Sequence, residues 1–329
     1  MAALVDGFGR VHTDLRVSLT DKCNLRCTYC MPPEGLDWLP GDDVLTDDEV
    51  VRVVGIAVRE LGITDVRLTG GEPLLRRGLV DIVGRIAALE PRPRLALTTN
   101  GIGLALVAGD LAAAGLDRIN ISLDTMHRAT FVALSRRDRL DDVLAGLDAA
   151  RAAGLAPIKV NTVLMRGVND GEALELLDYC LAHDLQLRFI EQMPLDPQHG
   201  WDRELMVTAD EIAEALSARH TLTPLGGRGS EPAELFRIDD GPTVVGIIAS
   251  VTKPFCAACD RVRLTADGQV RNCLFATEES DLRTPLRAGA DDAVIAARVR
   301  DAIGRKRAGH GIDDPTFLQP ARPMSAIGG

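Results

Sequence analysis

Apolar residues along this chain gather in six short runs, at 15–19, 66–69, 95–98, 119–123, 158–164 and 187–190, each about the length of a β-strand. The stretches between them carry their apolar residues at helical spacing. In the first, Thr46 and Glu49 form a capping box, Val50, Val53, Val54, Ala57, Val58 and Leu61 fall on one face, and Gly62 ends the helix. Similar amphipathic runs cover 79–89, 140–153 ahead of Gly154, and 172–183. Strand and helix in alternation predict an α/β fold, a parallel sheet under outer helices. About six such units are too few for a closed eight-stranded barrel, so a curved, incomplete (βα)6 TIM-like barrel is expected in preference to a doubly wound sheet.

The rhythm stops near residue 200, dividing the chain into an expected core, 1–200, and a C-terminal domain, 201–329. The second part carries a capped helix start at Thr208 with Glu211, a loop at 226–231 and a strand at 243–251. Asp267-Gly268, between 262–264 and 270–274, signals a hairpin that brings Cys273 back toward Cys259. The tail from Pro315 onward is expected to be loop-like. In the first part, Thr69-Gly70-Gly71-Glu72, Thr98-Thr99-Asn100, Ser122-Leu123-Asp124 and Glu191-Gln192-Met193 put polar or flexible residues where strands finish, the place where barrel enzymes build their active sites.

The 329 residues are 46% hydrophobic, enough to bury a large core, and the formal net charge of -11 argues against a nucleic-acid surface built on bulk charge. An anionic ligand must then be met by locally placed Arg and Lys. No run of 18 apolar residues suggests a membrane span and residues 1–16 contain no apolar export signal, so a cytoplasmic protein is expected. Of the seven cysteines, six fall in two tight groups, which fits thiolate ligands in a reducing compartment better than disulfides.

Cys23, Cys27 and Cys30, spaced C-x3-C-x2-C, follow the first strand in a loop where three sulfurs can converge on one centre. Three thiolates on a four-iron cubane leave one iron open to a further ligand, unlike the all-cysteine arrangement of electron carriers. The alternative is structural zinc, but zinc closes with four ligands and no fourth Cys or His lies between Asp21 and Trp38. The second group, Cys256, Cys259 and Cys273, also lacks an evident fourth donor, although zinc competes more strongly there and His220 and His310 are candidate outside ligands. Cys180, alone in a helical pattern, reads as a small buried hydrophobe.

The string Cys23-Asn24-Leu25-Arg26-Cys27-Thr28-Tyr29-Cys30 closely resembles the signature of radical S-adenosylmethionine enzymes, and Thr69-Gly70-Gly71-Glu72-Pro73 resembles the motif that lies beside the methionine amine. Further strings, among them Thr98-Thr99-Asn100-Gly101, Asn120-Ile121-Ser122-Leu123-Asp124, Arg188-Phe189-Ile190-Glu191-Gln192-Met193 and Phe255-Cys256-Ala257-Ala258-Cys259-Asp260-Arg261-Val262-Arg263-Leu264, are similar to the GTP 3',8-cyclase family of molybdenum cofactor biosynthesis across the chain. The resemblance implies two [4Fe-4S] clusters, one on each cysteine triplet, and S-adenosylmethionine held by Tyr29, Gly71, Glu72, Ser122 and Met193. It implies GTP contacts at Arg16, Thr98, Arg67, Lys159, Arg188, Arg261 and Arg263, with Arg261, Arg263 and the terminal Gly328 and Gly329 acting at the reaction centre. Arg16, Arg67, Lys159 and Arg188 interrupt apolar strands, where an unpaired charge would be costly. One departure is Asp65, where the family usually has a second cation two residues before Arg67.

The chemistry so implied is reductive cleavage of S-adenosylmethionine to a 5'-deoxyadenosyl radical, hydrogen abstraction from ribose C3' of GTP, and attack of C3' on guanine C8, with the second cluster holding the guanine edge. The implied partners are a reducing electron donor, cyclic pyranopterin monophosphate synthase as the next enzyme and a second copy of this chain as a homodimer, with no nucleic acid and no membrane. The C-terminal cluster segment is expected to close the open side of the barrel. Two rival readings stay open at this point: a peptide-maturing radical enzyme with an auxiliary cluster, and a non-catalytic zinc-binding protein.

Overall fold

A computed structural model of the protein describes residues 3–328. All six expected strands form: β1 (Asp14–Ser18), β2 (Asp65–Thr69), β3 (Arg94–Thr99), β4 (Arg118–Ser122), β5 (Ile158–Val163) and β6 (Gln186–Ile190). Six more follow in the C-terminal part, β7 (Leu222–Pro224), β8 (Glu234–Ile238), β9 (Val244–Ile248), β10 (Arg261–Leu264), β11 (Gln269–Arg271) and β12 (Ser280–Asp281). The helices are α1 (Asp47–Leu61), α2 (Leu79–Ala87), α3 (Ala108–Ala113), α4 (Arg128–Ser135), α5 (Leu140–Ala152), α6 (Ala173–Ala182), α7 (Ala209–Ser217), α8 (Arg283–Arg287), α9 (Asp292–Gly304) and α10 (Met324–Ile327). The capping boxes at Thr46 and Thr208 are both made, and Gly62 ends α1 in the left-handed region at φ 75°. No helix among the described residues is long and apolar enough to cross a membrane.

The strands alternate, and that alternation builds both the core and the site. Leu15 and Val17, Val66 and Leu68, Leu95 and Leu97, Ile119 and Ile121, Ile158 and Val160, and Leu187 and Phe189 are buried in one apolar layer with helix residues such as Val54, Ile82, Leu111, Leu147 and Leu176. The intervening residues, including Arg16, Arg67, Thr98, Asn120, Lys159 and Arg188, line a cavity on the opposite, concave face. Apolar burial under the helices therefore holds the sheet, leaving the inner face free to be polar.

The sheet order is β12-β11-β10-β1-β2-β3-β4-β5-β6-β9-β8-β7. β10 lies parallel to β1, with Asp14 opposite Arg261 and Arg16 opposite Arg263, and β9 lies parallel to β6, with Arg188 opposite Gly246. The C-terminal segment thus adds a parallel strand to each edge of the incomplete (βα)6 barrel. The hairpin expected at Asp267-Gly268 joins β10 and β11 in antiparallel register. The tail differs from expectation: residues 324–327 form α10, because the Met324 amide donates to Leu195 O at 3.2 Å and Ile327 packs with Leu195 and Phe275.

One buried carboxylate ties this C-terminal part to the barrel. Glu191, just beyond β6, accepts from the amides of Ala209 (2.8 Å), Val251 (2.8 Å) and Thr252 (2.9 Å) and from the Thr252 hydroxyl (2.5 Å), so the start of α7 and the exit of β9 share one anchor. Glu191→Ala strands three amides and a hydroxyl and is expected to cost about 3 kcal/mol or more, read as a lower urea midpoint. An unchanged midpoint would remove this brace from the description.

Candidate active site

Two cavities meet inside the barrel. The first, about 190 Å³, is lined by Cys23, Cys27 and Cys30 together with Tyr29, Gly71, Thr98, Ser122, Asp124 and Ser325. The second, about 390 Å³, is lined by Arg16, Arg67, Thr98, Lys159, Arg188, Met193, Arg261 and Arg263. Tyr29, Thr98, Ser122, Asp124 and Met324 belong to both linings, so a ligand in one cavity lies against a ligand in the other.

The cysteine loop is held by backbone that only glycine permits. The Gly71 amide donates to Thr20 O and the Glu72 amide to Lys22 O, both at 2.7 Å. A Cβ on Gly71 would lie 2.3 Å from Lys22 O and 2.4 Å from Asp21 O. Gly71 therefore presses the segment after β2 against the loop as well as lining the cavity. Glu72, expected beside the methionine amine, does not line either cavity. Its buried carboxylate accepts from the Leu74 amide (3.0 Å), the Thr99 hydroxyl (2.6 Å) and the Asn100 amide (2.7 Å), which makes it a brace between the ends of β2 and β3.

The donor chemistry of the first triplet suits an iron-sulfur cluster. Burial pushes the Cys23 thiol up, the Cys27 thiol well up and the Cys30 thiol up to about 12, so these groups remain protonated until a cationic centre takes them as thiolates. The Ser325 backbone of the tail, beside Cys30 in the first cavity, partly offsets that rise. Tyr29 donates its hydroxyl to Asp124 at 2.6 Å, and burial raises the Asp124 carboxyl to about 6. Asp124, at the rim of β4, was quoted in a motif but given no role by sequence reasoning.

At the second triplet Cys259 behaves differently. Burial raises its thiol, but the charges of Lys306 and Arg261 outweigh burial and bring it below its ordinary value, with Lys306 Nζ 3.5 Å and Arg261 Nη1 3.9 Å from its sulfur. Cys256 is raised by burial, partly offset by the His310 backbone, and the charges of Cys273 and Cys259 raise it further. Of the two candidate outside ligands for zinc, His310 has both ring nitrogens engaged, whereas His220 is engaged through Nδ1 alone. His310 accepts at Nδ1 from the Ile312 amide and donates from Nε2 to Ser250 O, each at 3.1 Å, and His220 pairs with Asp239 at 2.7 Å. Among the described residues no group of three or more His, Cys, Asp or Glu is drawn together as around a single metal ion, so the fit of each triplet rests on its three soft donors. Cys180 is buried in α6, 1% exposed.

The larger cavity concentrates positive charge. Burial lowers the basicity of Arg16, Arg67 and Arg188, lowers Arg263 to about 10, and lowers Lys159 to about 8 with help from Arg188. Buried N–H groups of Arg16, Arg67, Arg118, Arg188 and Arg261 have no partner. Desolvated cations with spare donors are a site for a polyanion. Arg188 fits only because Gly246 lies opposite it, where a Cβ would come within 2.2 Å of Nη1. Arg263 donates to the Gly328 carbonyl, bringing the tail to the cations, whereas Gly329 lies outside the described residues. Arg94, Arg118, Asn120 and Asn161 also line this cavity; sequence reasoning missed them, although the same strand alternation marks each as inward.

The Radical SAM superfamily model matches residues 17–180 and the Molybdenum Cofactor Synthesis C model matches residues 185–312. The GTP 3',8-cyclase of Streptomyces coelicolor is 66% identical, covering 99% of this chain and 96% of its own, and that of Mycolicibacterium smegmatis is 61% identical over 99% of this chain and 92% of its own. Among solved structures, Streptococcus suis SuiB bound to S-adenosylmethionine aligns with TM-score 0.56 at 13% identity, covering 88% of this chain and 68% of its own. Native anSMEcpe with bound AdoMet aligns with TM-score 0.58 at 15% identity, covering 91% and 82%. These two likenesses establish the shared fold.

Burial raises Glu72 from its ordinary 4.5 to about 7. The folded protein thus holds this proton more tightly than the unfolded chain does. The stability so gained is fully present below pH 4.5 and is lost as pH rises through about 7. From about pH 5.5 to about pH 8.5 the urea midpoint of the wild type should fall relative to that of Glu72→Gln. A difference independent of pH would contradict the buried-proton assignment.

Proposed function

The chain belongs to the GTP 3',8-cyclase family of radical S-adenosylmethionine enzymes, and from that membership we propose how its residues divide the work. The reaction is the S-adenosylmethionine-dependent conversion of GTP to (8S)-3',8-cyclo-7,8-dihydroguanosine 5'-triphosphate, the first step of molybdenum cofactor biosynthesis. Cys23, Cys27 and Cys30 would hold the [4Fe-4S] cluster to which S-adenosylmethionine binds. The chemistry supplied there, when both are bound, is homolytic hydrogen abstraction from ribose C3' of GTP.

Everything else asked of this chain is binding, orientation and exclusion of water. Tyr29, Gly71, Ser122 and Met193 would hold the adenosyl and methionyl groups, with Asp124 fixing the Tyr29 hydroxyl. Arg16, Thr98, Arg67, Lys159, Arg188, Arg261 and Arg263 would hold GTP, the cations binding its triphosphate. Cys256, Cys259 and Cys273, in the C-terminal domain, would hold a second [4Fe-4S] cluster facing the guanine. That assignment is supported by Lys306 and Arg261 drawing Cys259 toward its thiolate. Gly328 and Gly329 would close the site beside Arg263. The protein would act in the cytoplasm, as a homodimer, with a reducing electron donor and with cyclic pyranopterin monophosphate synthase taking its product onward.

The observation that carries this reading is the junction of the two cavities at Tyr29, Thr98, Ser122 and Asp124, which sets a cysteine-lined pocket directly against a cation-lined one. Anaerobic reconstitution with GTP, S-adenosylmethionine and dithionite, followed by product analysis, tests it. Cys27→Ser should lose S-adenosylmethionine cleavage altogether, whereas Cys259→Ser should retain cleavage and lose most cyclisation. Wild-type cyclisation by either variant would refute the division of labour. Deletion of Gly328 and Gly329 should leave the iron content intact while cyclisation fails; unchanged turnover would remove the tail from the mechanism.

A further inference from the structure

We propose that Arg118 is a triphosphate-binding residue and that Asp65 is the positioning residue that aims it, an inference that rests on the reading of the larger cavity as the GTP site. Asp65 opens β2 and Arg118 opens β4, so both stand where the barrel interior begins. The Asp65 carboxylate divides its oxygens between two arginines: Oδ1 accepts from Arg118 Nη2 at 3.1 Å and Oδ2 from Arg94 Nη2 at 2.6 Å. The side chain of Arg94 is 68% exposed, whereas that of Arg118 is 24% exposed and that of Asp65 is 14% exposed. Arg118 is therefore the arm that Asp65 holds inside, and its Nε is buried with no partner.

The sheet register shows what Arg118 faces. Arg67 lies opposite Ala96, and Ala96 lies opposite Arg118. Only the small Ala96 stands between them in the register, and the charge of Arg118 depresses the basicity of both Arg67 and Lys159. Arg67, Lys159 and Arg118 are offset only in part by Asp14, Glu231 and Asp65, and with a spare buried donor they make a cradle for phosphate oxygens. A carboxylate at the edge of such a cradle would by charge alone repel a triphosphate. Its contacts give the opposite expectation, since it holds Arg118 in place and gives up that arginine's orientation if neutralised.

The two expectations differ in sign, and equilibrium dialysis of GTP on the anaerobically reconstituted full-length enzyme separates them. Arg118→Gln should weaken GTP binding roughly tenfold, with inorganic tripolyphosphate losing potency as a competitor by a similar factor. Its iron content and S-adenosylmethionine affinity should match the wild type. Arg118→Lys, which keeps the charge without the planar fork, should recover part of the loss. Asp65→Asn should also weaken GTP binding, by roughly threefold to tenfold. GTP binding by Arg118→Gln at wild-type strength would overturn the assignment of Arg118, and tighter binding by Asp65→Asn would overturn the positioning role. Failure of the wild type to cyclise GTP would instead strike at the function itself, so the two failures are told apart.

Discussion

Positive charge turned into the interior of a barrel is the constraint around which this molecule is organised. Arg16, Arg67, Lys159, Arg188, Arg261 and Arg263 all face one cavity, and burial, reinforced by their mutual repulsion, depresses most of them. Asp14, a carboxylate in the lining of the same cavity, is shared among Arg16, Arg67, Arg261 and Arg263 and cannot neutralise them all. Such an arrangement is costly in the free protein and becomes favourable when a polyanion enters. The fold tolerates it because the other face of the same strands is predominantly apolar and packed under helices.

That constraint also explains why one chain carries both cysteine groups. The cation cavity is incomplete without β10, which brings Arg261 and Arg263 to the edge of β1, and without β9, whose Gly246 makes room for Arg188. The strand that completes the cavity is entered directly from Cys259, and the hairpin beyond it returns Cys273 to the same neighbourhood. The tail then spans both regions, with Ser325 lining the cavity of Cys30 and the Gly328 carbonyl on Arg263. Each half supplies what the other lacks at a common pocket.

Much of this was legible in the sequence. The six strands and the two capping boxes followed from local pattern, because periodicity and capping are set by neighbouring residues. The cysteine spacing and the cations interrupting apolar strands pointed to the two ligand pockets for the same reason. The placement of β9 and β10 on opposite edges was not legible, since it is decided by pairing between segments far apart in sequence. The bracing part of Glu72 was not legible either, because its motif points only to the ligand, whereas the Asn100 amide and the Thr99 hydroxyl that its carboxylate accepts from lie on another strand end. Arg94 and Arg118 were overlooked because each begins its strand, where a charged residue looks like ordinary solvated surface. Asp65 looked like the loss of a cation, whereas it is the anchor of two arginines.

The reading of the larger cavity as a polyphosphate cradle can be examined without following turnover. A ligand that binds only the folded state raises its unfolding midpoint in proportion to how far its concentration exceeds its dissociation constant. Thermal unfolding of the anaerobically reconstituted enzyme in matched concentrations of GTP and guanosine reads this directly. GTP is expected to raise the midpoint clearly and guanosine hardly at all; a shift with guanosine as large as that with GTP would contradict a site organised around the triphosphate.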